Sequence, residues 1–165
     1  MSIQRIKEFL DCQGARYAVI THSPAFTAQE VAASAHVPGK DMVKVVVVLI
    51  DERLALAAVP ATSELDTDRL RTAAGAREVS IASEWEFDSR FPGCELGAMP
   101  PIGPLFGLET FMERALAKEA WIAFNAGTHR DVIAMPFSEY RRVSHPKLVH
   151  IARALSDTGL RTAQI

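Results

Sequence analysis

Apolar residues along this chain recur with a helical period in some stretches and a period of two in others. Ile3, Ile6, Phe9 and Leu10 share one helical face, with Ser2 available as N-cap and Gly14 as a stop. Arg16 to Thr21 (RYAVIT) reads as a short strand. Thr27-Ala-Gln-Glu30 has the spacing of a capping box, in which hydroxyl and carboxylate satisfy each other's free amides. It predicts a helix through Val31, Ala32 and Ala35 that ends before Pro38-Gly39. Met42 to Ile50 and Leu54 to Val59 read as strands, and the link Asp51-Glu52-Arg53 is short enough to predict an antiparallel hairpin. Asp66 or Thr67 opens a helix through Leu70 to Ala74 that Gly75 closes. A strand over Glu78 to Ile81 and a second capping box, Ser83 to Glu86, come next.

From Phe91 to Gly107 the sequence FPGCELGAMPPIGPLFG supports neither helix nor regular strand. Loops of this length inside a compact domain are uncommon, and ordered ones often carry function. Strands resume at Glu109 to Met112, Ala120 to Phe124 and Val132 to Met135, and the spacing predicts closing helices over Phe137 to Val143 and Pro146 to Leu155. The mixture is α+β.

Composition narrows the picture. The 165 residues suit one domain, taken as 1–165, and the balance of 48% hydrophobic and 23% charged residues excludes a disordered or fibrous chain. The longest apolar stretch, Val43 to Ile50, contains Lys44 and is under half the length a bilayer requires. Arg5, Lys7, Glu8 and Asp11 break up the N-terminus, so no signal-peptide core is present and a cytoplasmic location is expected. Cys12 and Cys94 suggest neither a disulfide framework nor a zinc knuckle. A formal charge of −2 argues against affinity spread along a phosphate backbone, yet leaves room for an enzyme that meets nucleic acid only at one end.

Three segments hold candidate chemistry. Lys44 lies in MVKVVVVLI, where both strand faces are apolar, so its ammonium needs a counter-charge or a route to water. It is either a reserved functional group or a lysine whose stem covers apolar surface while its head reaches solvent. In Gly97-Ala-Met-Pro-Pro-Ile-Gly103 the backbone can approach a ligand closely, and exposed amides there can stabilise an oxyanion. The same run could simply turn the chain. Asn125-Ala-Gly-Thr-His129 offers an amide, a flexible glycine, a hydroxyl and an imidazole, although turns favour Asn and Gly for conformational reasons alone. No nucleophile elbow, Walker or dinucleotide-binding pattern occurs. His145 and His150, if helical, would lie about 140° apart, which disfavours a metal site. Cys94 has no histidine close in sequence and reads more simply as a buried cysteine than as a nucleophile.

Together, HSPAFTAQEVA (His22 to Ala32), the Lys44 strand, GAMPP (Gly97 to Pro101) and FNAGTH (Phe124 to His129) resemble the YbaK/ProX-type aminoacyl-tRNA editing domain, the prolyl-tRNA synthetase-associated deacylase family. The resemblance runs from about His22 to Tyr140. It implies a curved, mixed but mainly antiparallel, barrel-like β-sheet surrounded by helices. It also implies hydrolysis of the ester joining an amino acid to the 3′-terminal adenosine of tRNA. Lys44, Gly97 and Pro101 carry over as catalytic positions. His22, Phe26, Met99, Pro100, Ile102, Gly103, Asn125, Gly127, Thr128 and His129 are the candidate substrate-binding positions, with Phe26, Met99, Ile102 and Phe106 as possible pocket walls. No cofactor or metal is implied. The partner is aminoacyl-tRNA, with a synthetase as a further possibility.

An aminoacyl ester is already activated, so such an enzyme need only position water and stabilise developing negative charge. On this reading Lys44 contacts the terminal phosphate or polar substrate groups, amides near Gly97 and Gly127 face the oxyanion, and a ribose hydroxyl relays the proton. The expected substrates are small mischarged residues such as Ala, Cys, Ser or Thr, on tRNA for proline. Two rivals stand beside it: a non-catalytic module that binds tRNA or a synthetase, and an esterase of free small metabolites.

Overall fold

In the computed structural model, which describes residues 3–23 and 25–155, the amphipathic N-terminal segment forms α1 (Ile3–Cys12). Ile6 and Leu10 are fully buried, and the N-cap expected at Ser2 lies outside the described residues. β1 (Ala18–Thr21) precedes α2 (Ala28–Ser34), where the Glu30 amide donates to the Thr27 hydroxyl at 3.1 Å. The reciprocal half of that capping box is displaced by one residue, because the Glu30 carboxylate takes the Phe26 amide (3.4 Å).

β2 (Met42–Ile50) and β3 (Arg53–Pro60) form the expected antiparallel hairpin, paired from Val43↔Pro60 to Ile50↔Arg53. Its turn has two residues rather than three. Asp51 and Glu52 take φ of 47° and 70°, both positive as a type I′ turn requires. Side chains disfavour that backbone region. The Asp51 carboxylate compensates by accepting the Arg77 and Glu78 amides, each at 3.0 Å.

β4 (Ser63–Leu65) leads to α3 (Thr67–Ala74), capped by the Asp66 side chain at one end and by left-handed Gly75 at the other. β5 (Val79–Ile81) and α4 (Glu84–Phe87) follow, the latter held by the Ser83 amide on Glu86 Oε2 at 2.7 Å. After the glycine- and proline-rich run come β6 (Thr110–Glu113), β7 (Trp121–Asn125), β8 (Asp131–Pro136) and α5 (Phe137–Ser144).

The C-terminal segment departs from expectation. Pro146 to Leu155 is not a helix but two short strands, β9 (Lys147–Val149) and β10 (Ala152–Ala154). α5 ends at His145 in a left-handed conformation (φ 49°), and Pro146 prevents its continuation. β9 then pairs parallel with β6, and β10 pairs antiparallel with β4. Between them Glu113, only 3% exposed, accepts the Ile151 and Ala152 amides at 2.9 Å and the His150 ring at 3.0 Å. The helical spacing argument for His145 and His150 therefore falls away. Nonlocal pairing supplies what local periodicity could not foresee.

The main sheet runs β1-β8-β7-β2-β3-β6-β9, with β5 added to β2. Its pairings are mostly antiparallel, and β2·β7, β3·β6 and β6·β9 are parallel. Alternate β2 residues serve different cores. Val43 and Val47 pack with Ile6, Leu10 and Phe124, Val48 and Ile50 pack with Leu70, and Met42 packs with Val31, Ala32 and Ala35 of α2.

Glu113 makes this arrangement pH-sensitive. Burial alone would push its carboxyl pKa up, but the Ala152, Ala115 and Ile151 amides and His150 outweigh burial and hold it below the ordinary glutamate value. A depressed folded pKa contributes stability above the unfolded value, and that stability is lost as pH falls through the folded value. Glu113→Gln is expected to cost about 2 kcal/mol at neutral pH. Urea unfolding between neutral and acid pH should show a shallower loss in the variant; equal acid sensitivity would remove Glu113 from this role.

Candidate active site

One edge of β2 is filled by β3 along almost its whole length, while the other is divided. β7 pairs only with Met42 and Val43, and β5 only with Val48 to Ile50. Between them, Lys44 to Val47 has no strand partner on that edge among the described residues. The Asp41 carbonyl accepts the Ala123 amide and the Val47 carbonyl accepts the Ala82 amide, so peptide groups of alternate residues, including Val45, point into the gap. A cavity of about 310 Å³ opens here, lined by Lys44, Val45, Val46, Asn125, Gly97, Phe26, the first turn of α2, Ala61 and Leu155.

Lys44 and Asn125 are neighbours by register. The parallel ladder ends at Val43↔Phe124, and one residue further both side chains lie on the face shared by Met42 and Ala123. Lys44 Nζ donates to the Ser63 carbonyl at 2.9 Å and is half-buried. Burial pushes its pKa below the ordinary lysine value, and the Glu64 carboxylate partly opposes this. That carboxylate is itself engaged by Arg153 at 2.9 Å, so among the described residues the ammonium has no dedicated counter-ion. Of the two readings of Lys44, the geometry fits a group held over a cavity rather than one snorkelling to open solvent.

The glycine-rich loop reaches the cavity through a tight turn. Ala98 N–H donates to Glu95 O at 3.0 Å, and Gly97 has φ of 81°, the value a type II turn demands at its third residue. This turn is fastened to the β7–β8 connection. Glu95 N–H donates to Gly127 O (2.8 Å), Gly127 N–H donates to Ala98 O (2.9 Å), and His129 N–H donates to the Glu95 carboxylate (2.9 Å). His129 Nε2 lies 2.7 Å from Leu96 O. In a trans peptide C=O and N–H point in opposite directions, so this bond turns the Gly97 N–H away from His129. That amide meets no acceptor among the described residues, and Gly97 lines the cavity.

The structure thus gathers Lys44, Phe26, Gly97 and Asn125 directly, with His129 behind Gly97 and its ring 5.0 Å from that of Phe26. Other candidate positions lie elsewhere. The Gly127 amide is consumed by Ala98 O, which corrects the expectation that it faces an oxyanion. Thr128 Oγ1 is occupied with Asp131, and His22 sits at the end of β1 with its amide on Arg130 O, outside the cavity lining. Met99, Ile102 and Phe106 are buried in the core rather than in the cavity wall. Pro100 and Pro101 are buried as well, and Pro101 O accepts the buried Tyr140 hydroxyl at 2.6 Å, which anchors the loop. A Cβ on Gly103 would collide with the Leu108 carbonyl oxygen. Val45, Val46, Ala61 and Leu155 escaped sequence reasoning because apolar residues of this kind look like any core residue. Burial pushes the Cys94 thiol up, away from thiolate chemistry. Among the described residues no three His, Cys, Asp or Glu side chains cluster as metal ligands.

A family model for the aminoacyl-tRNA editing domain matches residues 22–143, a span that takes in Lys44, Gly97, Asn125 and His129. The chain belongs to the aminoacyl-tRNA editing domain family. No curated protein matches it by sequence. Among solved structures, a hypothetical protein superposes with TM-score 0.80 and 18% identity over 90% of this chain and 99% of its own. A protein proposed to be a trans-editing enzyme for prolyl-tRNA synthetase gives 0.78 and 19% over 93% and 99%. A proposed signal-transduction protein from Marinobacter aquaeolei VT8 gives 0.73 and 16% over 92% of this chain but 31% of its own. At these identities the likeness establishes the shared fold. The editing domain of this chain accordingly has the curved mixed sheet with flanking helices that the sequence resemblance implied, and no helix among the described residues is long and apolar enough to cross a membrane.

In this editing domain the Lys44–Ser63 bond and the desolvation of the Lys44 ammonium oppose one another. Lys44→Met is therefore expected to leave the unfolding free energy within about 1 kcal/mol of wild type. Urea denaturation checks this, and a loss of several kcal/mol would make Lys44 a structural residue.

Proposed function

We propose that residues 1–165 form one aminoacyl-tRNA deacylase domain that acts in trans, hydrolysing the ester of a small mischarged amino acid such as Ala, Cys, Ser or Thr. The observation that carries the reading is the meeting, at one small cavity, of a half-buried Lys44 ammonium and a Gly97 amide that has no acceptor among the described residues. Both are donors held in place before substrate arrives: Lys44 by its strand position and its bond to the Ser63 carbonyl, Gly97 by the His129–Leu96 bond. Preorganised donors of this kind stabilise the oxyanion that develops when water attacks an ester carbonyl.

The ester needs little more, since the ribose leaving group carries a vicinal hydroxyl that can relay the proton. Phe26, Val45, Val46 and Ala61 give the cavity of about 310 Å³ apolar walls against which a small side chain can be selected by fit. This is the discrimination a synthetase lacks, because one methylene in an apolar pocket is worth only about 1–3 kcal/mol. Family membership supports charged tRNA as the partner. The fold shared with a proposed trans-editing enzyme for prolyl-tRNA synthetase supports tRNA for proline, with that synthetase as a possible partner, in the cytoplasm where tRNA is charged.

Purified protein incubated with radiolabelled alanyl-, cysteinyl-, seryl- and threonyl-tRNA, including species mischarged onto tRNA for proline, should release one or two of these amino acids. Lys44→Ala should lower kcat/KM on them by about 100-fold or more. No release from any member, or a variant as fast as wild type, would sink the proposal. Faster hydrolysis of a free amino-acid methyl ester than of charged tRNA would point to a small-metabolite esterase instead.

A further inference from the structure

The donors of the cavity have acceptors for neighbours, and the deacylase reading leaves them unused. Asn125 is 8% exposed, lines the cavity, and its Oδ1 is buried without a hydrogen-bond donor among the described residues. Buried acceptors are seldom left unpaired, because the lost hydration is not repaid. The Val45 carbonyl lies on the same unpaired edge of β2, in the same lining, with its register fixed by the Asp41 and Val47 carbonyls on either side. Two acceptors thus stand beside the donors Lys44 Nζ, Gly97 N–H and the N–H of Val45 itself, which shares its carbonyl's edge.

Resting on the deacylase reading, we infer that Asn125 Oδ1 and the Val45 carbonyl receive the α-ammonium group of the substrate, so that the site selects esters with a free amine. The chemistry of the ligand drives this assignment. An aminoacyl ester brings acceptors, its carbonyl and ester oxygens, which suit Lys44 and Gly97. Apart from a ribose hydroxyl, which donates once, the donor common to every amino acid is the α-ammonium with three N–H bonds. It can satisfy two acceptors whatever the side chain, and, unlike the adenine amino group, it is only two bonds from the ester carbonyl carbon that Lys44 and Gly97 face. An N-acylated amine is neutral, keeps one N–H and adds bulk inside a cavity of about 310 Å³. Peptidyl and formylated esters are therefore spared, while the side chain is selected only by size. A site built to hydrogen-bond a substrate group discriminates strongly against analogues that lack it.

The test compares the aminoacyl-tRNA that wild type hydrolyses fastest with its N-acetylated counterpart, for wild type, Asn125→Ala and Asn125→Asp. Wild type should prefer the free amine by at least about 10-fold in kcat/KM. Asn125→Ala should shrink that preference by about 10-fold, whereas Asn125→Asp, which still accepts hydrogen bonds, should retain it. Binding of the amide-linked analogue 3′-alanylamino-3′-deoxyadenosine, measured by calorimetry against its N-acetyl form, should show the same preference without turnover. Equal rates on the two esters by wild type, or an equal drop on both in Asn125→Ala, would overturn the inference while leaving the deacylase intact. Absence of hydrolysis of every aminoacyl-tRNA would overturn the deacylase reading and this one with it.

Discussion

A β-strand offers two hydrogen-bonding edges, and in this molecule β2 gives one of them to β3 and divides the other between β7 and β5. β7 meets β2 parallel at its start and β5 meets it antiparallel at its end, and among the described residues neither pairing reaches across the interval between Val43 and Val48. Peptide groups left in that interval must find water or a ligand, since buried unpaired ones are costly. The sheet therefore carries an opening through its most apolar strand. Lys44 can occupy that strand because the opening relieves what full burial would cost an ammonium.

The opening acquires its chemistry from parts that are otherwise structural. α2 roofs one side by packing Val31, Ala32 and Ala35 on Met42. The glycine-rich loop is pinned below by Tyr140 on Pro101 and laced to the β7–β8 connection through Glu95 and Gly127. His129 completes the lacing with both its amide and its ring. The direction of one peptide plane, Leu96–Gly97, depends on all of these contacts. The histidine thus takes part without standing among the cavity-lining residues. The Gly97 and Val45 peptide groups are then fixed by turn and strand geometry, and Lys44 and Asn125 project from set strand positions, with Lys44 Nζ tethered to the Ser63 carbonyl, which lowers the reorganisation a reaction needs.

Element types were legible in the sequence wherever local signals agreed. The Asp66 and Gly75 caps, the β2–β3 hairpin, the Ser83–Glu86 box and α5 all formed where their residues indicated. The C-terminal segment misled because KLVHIARAL has apolar spacing compatible with a helix, and only Glu113 and the edges of β6 and β4 make strands of it. The two-residue turn at Asp51-Glu52 was equally hidden, since its stabilising amides come from Arg77 and Glu78, some 26 residues away.

Sequence by itself determined that Lys44 sits in an apolar strand, that the segment from Gly97 to Gly103 must be irregular, and that the motifs belong to one family's order. Those are local or one-dimensional properties, carried by residue type and spacing. Which of the candidate residues share a cavity was decided only by tertiary structure. Asn125 meets Lys44 because a parallel ladder ends one residue earlier, while Met99 and Ile102, equally plausible on paper, turn into the core. The physical reason is that a site here is the place where pairing stops, and where pairing stops depends on strands distant in sequence.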